Sequence, residues 1–279
     1  MSEDGGVGLV VSIVRYPLKS AAGEVVHAVD VDEGGLRADR CWACLDQMDG
    51  TVGSAKHPRR WGRLLQVSAR LAEGGCATRC ILTVAGRQLV AGSQEADDAL
   101  TRYLGRAVRL SQAVPPEARL HRELPAESGL LPDWMAGLAP GSELVTDVVG
   151  ARPGGRFLDY GPVHLVTTGA LARLAAQLHR PAVEASRFRP NLVLDLPQDP
   201  EPGAQLCLGE TVLAVSLPTP RCIVPGLSGE PEEAIDGPLL GTLARSYRTD
   251  VGDLGRAACF GVYADVLRPG RVEVGQQIR

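Results

Sequence analysis

Lysine is nearly absent from this 279-residue sequence: Lys19 and Lys56 stand alone among basic residues that are otherwise arginine. Aromatic residues make up only 4%, which leaves core packing to Leu, Val, Ile and Ala. No apolar run approaches the roughly 18 residues that a spanning helix needs. Paired cysteines at zinc-site spacing, a ferredoxin-like cysteine run and flavin or haem motifs are also missing. The net charge of −4 speaks against a general nucleic-acid or membrane-surface binder. Repeats, low-complexity tracts and coiled-coil heptads do not occur, which removes solenoids and fibrous architectures. The first eight residues are acidic and glycine-rich, not basic and then apolar, so a cytoplasmic protein is expected.

What is present is ordinary for a globular chain: 44% hydrophobic and 22% charged residues, in a length that can bury one large core or two modest ones. Cysteines stand at 41, 44, 76, 80, 207, 222 and 259. Cys41 and Cys44 have redox-motif spacing, but three apart on a strand they point to opposite faces. Cys76 and Cys80 bracket a turn. Six of the seven read as small buried hydrophobes, which singles out Cys222.

Hydrophobic alternation marks strands at residues 7–14, 25–32, 41–46, 64–71, 81–85 and 107–110. Ser93 caps a helix with Ala96, Ala99, Leu100, Tyr103 and Leu104 on one face, and Gly105 ends it. Residues 114–162 are rich in proline and glycine with little periodicity, and a domain boundary is placed there, giving units 1–125 and 126–279. A strand at 163–166 then runs into a helix opened by Thr167-Thr168. A hairpin follows at 206–215, with Gly209-Glu210 at its turn. Asp236 and Pro238 start a last helix carrying Leu240, Leu243, Ala244 and Tyr247. Strands at 260–266 and 272–274 close the chain. The fold expected is mainly β with a few helices (α+β).

Three stretches and one threonine pair carry chemistry. In Thr219-Pro220-Arg221-Cys222-Ile223-Val224-Pro225-Gly226 a thiol sits on a loop stiffened by prolines at a strand end. The neighbouring Arg221 favours its thiolate, the form that attacks electrophiles and binds soft metals. A cysteine beside a strand is equally readable as an inert core residue. Arg187-Phe188-Arg189-Pro190-Asn191 places two guanidinium forks and an amide at the entrance of an apolar strand, which suits a planar anion. Tyr16-Pro17-Leu18-Lys19-Ser20 presents a compact ammonium and a hydroxyl on a loop. Thr167 and Thr168, between a strand and a helix start, can meet an anion, or one of them can serve only as N-cap. For each arginine the alternative is an ordinary ion pair.

Together with Gly35-Leu36-Arg37 and Asp39-Arg40-Cys41-Trp42, and with residues 163–171, these stretches resemble the MOSC family nearly end to end. That family includes the C-terminal domain of molybdenum-cofactor sulfurases and the amidoxime-reducing components. The resemblance implies an N-terminal β-barrel domain followed by a MOSC β-barrel domain, and the molybdenum cofactor (Mo-molybdopterin) as ligand. Cys222 matches the cysteine that gives a thiolate to molybdenum. Lys19, Ser20 and Arg40 match cofactor contacts from the N-terminal domain, and Thr167, Thr168, Arg189 and Asn191 those from the MOSC domain. Arg187, at a position that varies between branches, and Arg221 complete the set. The implied reaction is reductive oxygen-atom removal from an N-hydroxylated small molecule, with electrons from a separate ferredoxin, flavoprotein or cytochrome-type partner. Pyridoxal phosphate binding is a further association of the family. Pro220 departs from the serine of the amidoxime-reducing branch, and Ile-Val-Pro-Gly-Leu after Cys222 lacks its threonine-aspartate character, so the substrate side of the pocket differs. Three other functions fit the same residues: sulfur transfer through a Cys222 persulfide, a non-enzymatic cofactor carrier, and a Cys222–His164 nucleophile pair. His164 reads more simply as a sheet histidine.

Overall fold

The computed structural model describes residues 8–72, 79–135, 137–151, 155–228 and 234–279. An eight-stranded sheet is laid out from β-branched and leucine-rich segments in the order Gln205–Leu208, Thr211–Pro220, Arg256–Arg268, Val163–Thr167, Leu192–Asp195, Leu9–Arg15 and Glu24–Val26, with Arg248–Asp250 paired beside Arg256–Arg268. All its pairings are antiparallel except Val163–Thr167 with Leu192–Asp195. A parallel pair needs a crossover, and helix Thr168–Gln177 supplies it. Every residue of Val163–Thr167 is buried, as a strand covered on both faces should be.

The first strand of the chain therefore belongs to the sheet built by its last third: Leu9–Arg15 pairs with Leu192–Asp195. Ala28–Asp32 likewise pairs with Gly270–Glu273 near the other end. Hydrogen bonding thus crosses the division at residue 125. One apolar core, with Ile13, Val31, Leu165, Leu194, Leu213 and Val262, joins the two halves. A separate core gathers Leu18, Trp42, Trp61, Leu82 and Leu100, with residues from the small sheets Ala43–Asp46 with Val108–Ser111, and Ser68–Leu71, Cys80–Val84 and Arg87–Val90.

The helix signals read from sequence hold closely. Ser93 Oγ accepts from Ala96 N at 3.2 Å, and Gly105 ends helix Gln94–Leu104 at φ 66°. Thr167 caps Thr168–Gln177, and Asp236 caps Gly237–Ser246. Three expectations need correction. Residues 25–32 are two strands, because the chain breaks at His27 to change sheets. Only Ser68–Leu71 of residues 64–71 is strand; Gly62–Gln66 coils as 3₁₀-helix and buries Leu64. The stretch 114–162 also holds regular structure, with Arg119–Glu123 paired in full register to Glu143–Asp147. Its charged residues on both strands hid the alternation.

Candidate functional site

Two tight loops meet the entrance of the central strands. Trp42 N donates to the Pro17 carbonyl at 2.9 Å and Lys19 N to the Trp42 carbonyl at 2.8 Å, so the loops carrying Lys19 and Arg40 clasp each other. Arg40 N reaches Tyr16 O at 2.6 Å, and Phe157 N reaches Arg40 O at 2.8 Å. Ser20, Arg40 and Arg189 all adopt left-handed backbone, at φ 63°, 49° and 56°. Such conformations cost a non-glycine residue about 1–3 kcal/mol and collect at functional sites. Here they turn three polar side chains toward one space.

That space is a cavity of about 510 Å³ lined by Lys19, Ser20, Arg40 and Lys56 from the first half and by Arg187, Arg189, Asn191, Arg221 and Cys222 from the second. Cys222 is half-buried and forms no disulfide, and among the described residues its thiol has no hydrogen-bond partner. Its loop follows strand Thr211–Pro220 and is stiffened by the short 3₁₀ turn Val224–Gly226, which contains Pro225. The chain's two lysines converge on one carboxylate: Lys19 Nζ lies 2.7 Å and Lys56 Nζ 2.9 Å from Asp159 Oδ1. Lys19 also donates to the Phe157 carbonyl at 2.9 Å. Burial pulls the Lys19 ammonium down to about 8, although Asp159 opposes the change. Burial raises Asp159, but the two ammonium groups outweigh it and hold the carboxyl well below its ordinary range.

The arginines divide by what they touch. Arg40 pairs with the fully buried Asp39, donates to Asn191 Oδ1 at 3.2 Å and to the Arg189 carbonyl at 3.2 Å, and lies 4.8 Å from the Tyr16 ring centroid. Arg189 stands 4.4 Å from the same ring centroid, and among the described residues its guanidinium has no hydrogen-bond or carboxylate partner. Burial pushes that guanidinium below its ordinary value. An unspent cation on a cavity wall is what an anionic ligand needs. Arg187 is intermediate, sharing Asp236 at 3.6 Å and the Pro225 carbonyl at 3.2 Å.

Arg221 is spent on the protein. It donates to the carbonyls of Phe188 (3.1 Å) and Phe260 (2.9 Å from Nε) and to His164 Nε2. It holds the cysteine loop against the sheet instead of pointing donors at the thiol. His164 is a sheet histidine, as read from sequence: its ring accepts from Arg221 and its Nδ1 lies 3.4 Å from the Arg189 carbonyl. Burial and Arg221 keep it neutral, well below its ordinary value. Asn191 is also structural: Oδ1 accepts from His164 N at 3.1 Å and Nδ2 donates to the Val14 carbonyl at 3.3 Å.

Thr167 and Thr168 do not line the cavity. Thr167 Oγ1 donates to Asp199 at 2.8 Å and caps the helix; Thr168 Oγ1 donates to Asp195 at 2.8 Å. The reason is strand length. His164 marks the cavity end of its strand, and three residues onward is about 10 Å away. Sequence reading missed Asp159 and Lys56 in turn. The rarity of lysine pointed to Lys56 as much as to Lys19, but Asp159 lay in a stretch that gave no pattern. Of the other cysteines, Cys44, Cys80 and Cys259 are buried as expected; Cys41 and Cys207 are half-buried, Cys41 lies just outside strand Ala43–Asp46, and Cys76 falls outside the described residues. Among the described residues no group of three or more His, Cys, Asp or Glu side chains could hold a metal ion.

No curated protein matches the chain. Solved structures similar to it include the YUAD protein from Bacillus subtilis, at 13% identity over 98% of this chain and 94% of that one, with a TM-score of 0.46. YiiM from Geobacillus stearothermophilus is similar at 18% identity over 42% of this chain and 53% of that one, with a TM-score of 0.31. Family models match in two places: the MOSC N-terminal beta barrel domain over residues 7–105 and the MOSC domain over residues 155–279. With both models matched in this order, the chain belongs to the MOSC-domain family.

Proposed function

We propose that this protein binds the molybdenum cofactor with the Cys222 thiolate as its protein ligand, and that it reduces N-hydroxylated small molecules. The observation that carries the reading is the unpartnered Cys222 sulfur on a cavity whose cations come from both halves of the chain. The residues fit the cofactor in three ways. A soft sulfur donor suits a thiophilic metal. The unspent Arg189 guanidinium suits a phosphate. The Ser20 hydroxyl accepts from Ala55 N at 3.1 Å, and among the described residues its own proton has no acceptor and can donate to a ligand.

When bound, the cofactor supplies the two-electron redox chemistry. The chain's residues hold and orient it: Lys19, Arg40 and Lys56 from one side, Arg187 and Arg189 from the other. Lys19 also carries a proton at Nζ that it can release near neutral pH, as loss of the hydroxyl oxygen as water requires. Overall, N–OH takes two electrons and two protons to give N–H and water, and in this reading a separate redox protein delivers the electrons.

The test is metal and pterin analysis of protein purified from a host that makes the cofactor, joined to a hydroxylamine-reduction assay with an artificial electron donor. Near-stoichiometric molybdenum with turnover supports the reductase. Molybdenum without turnover points to a cofactor carrier, and a Cys222 persulfide without metal to sulfur transfer.

A further inference from the structure

The cavity lining is of two chemical kinds, cationic and apolar. Beside Cys222 and the cations, the lining includes Trp134, Val145, Val149 and Tyr160, exposed at 54, 42, 63 and 42%. Single exposed apolar side chains are unremarkable, but several gathered around one opening mark a binding surface. Trp134 is also the one exposed tryptophan of the three, Trp42 and Trp61 being buried. Aromatic contacts run from the sheet to this apolar group: His164 lies 5.6 Å from Tyr263, and Tyr263 stacks on Tyr160 at 5.9 Å. Gly161 makes that stack possible, since a Cβ there would stand 2.8 Å from Tyr263 Cβ.

From this we infer that Trp134 and Tyr160 form a specificity collar that selects ligands with a neutral, planar apolar body and directs their polar head toward Cys222. The collar lines the same cavity as Cys222. The inference rests on the proposed reductase reading for the nature of the head group, an N–O function. The collar itself rests on the apolar surface alone. Laying a phenyl ring against it should strengthen binding by about tenfold or more over a methyl group, given about 25 cal/mol per Å² of apolar surface covered.

Benzaldoxime and acetaldoxime share a neutral N–OH head and differ by phenyl against methyl. Each is titrated calorimetrically into the full chain without an electron donor, in wild type and in Trp134→Ala. Benzaldoxime is expected to bind at least about tenfold more tightly to wild type, and the gap to shrink to about threefold or less in the variant with acetaldoxime unchanged. A Trp134-dependent change in tryptophan emission should accompany benzaldoxime binding. Tyr160→Ala should narrow the gap as Trp134→Ala does. Equal affinities in wild type, or a gap that both substitutions leave intact, overturns the collar. Molybdenum content and hydroxylamine reduction on the same samples keep the two proposals apart: metal and turnover without a gap sink the collar alone, and a gap without metal sinks the reductase alone.

Discussion

Replacing Lys19 by methionine should remove a pH dependence of stability that this one side chain imposes. Lys19 is 4% exposed, and its ammonium falls from 10.5 to about 8 because burial strips its hydration. The folded state then binds fewer protons than the unfolded state between those values. Stability must therefore rise as pH climbs from about 8 to about 10.5. At about 1.4 kcal/mol per pH unit the whole effect is about 3 kcal/mol, of which about 2 kcal/mol falls between pH 7 and 9.5. Urea unfolding of wild type and Lys19→Met across that range isolates the contribution, because other titrations largely cancel in the difference. Wild type should gain about 2 kcal/mol on the variant from the neutral to the alkaline end. A flat difference would mean that Lys19 titrates as an ordinary surface lysine, and the picture of a desolvated, cation-lined cavity would fall with it.

Other outcomes follow from the division among the arginines. Arg221→Met should destabilise the fold by about 3 kcal/mol in denaturant unfolding, because the buried Phe188 and Phe260 carbonyls lose their donors. Arg189→Ala should change stability by no more than about 1 kcal/mol, since only a ring contact is lost. It should nevertheless cut molybdenum and pterin content sharply; full occupancy in that variant would remove Arg189 from the binding set. Gly261→Ala should cost at least about 2 kcal/mol. The residue sits at φ 73°, and a Cβ would come 2.4 Å from the Leu165 carbonyl and 2.7 Å from His164 Nε2. A neutral result by thermal melting would show that the backbone beneath His164 can yield.

The legibility of this chain follows where its signals are local. Ser93, Gly105, Thr167 and Asp236 bound their helices as capping chemistry dictates, because a cap needs only its near neighbours. The loop thiol and the Arg189 fork were readable for the same reason: proline neighbours fix the backbone. What could not be read depends on distant partners. Nothing local says that Arg221 spends its donors on carbonyls 33 and 39 residues away. Nor does anything say that Lys19 meets Asp159, 140 residues on. Thr167 misled because a strand running into a helix start suits an anion, while the cavity opens at the strand's other end.

The proposed reductase function turns on the sulfur of Cys222 being the ligand that the protein gives to molybdenum. Molybdenum K-edge X-ray absorption on the metal-loaded wild type and on Cys222→Ser tests this at the atom concerned. The expected result is a loss of one sulfur neighbour in the variant, with an oxygen neighbour in its place. An unchanged sulfur count in a variant that still holds its metal would show that Cys222 is not bonded to it.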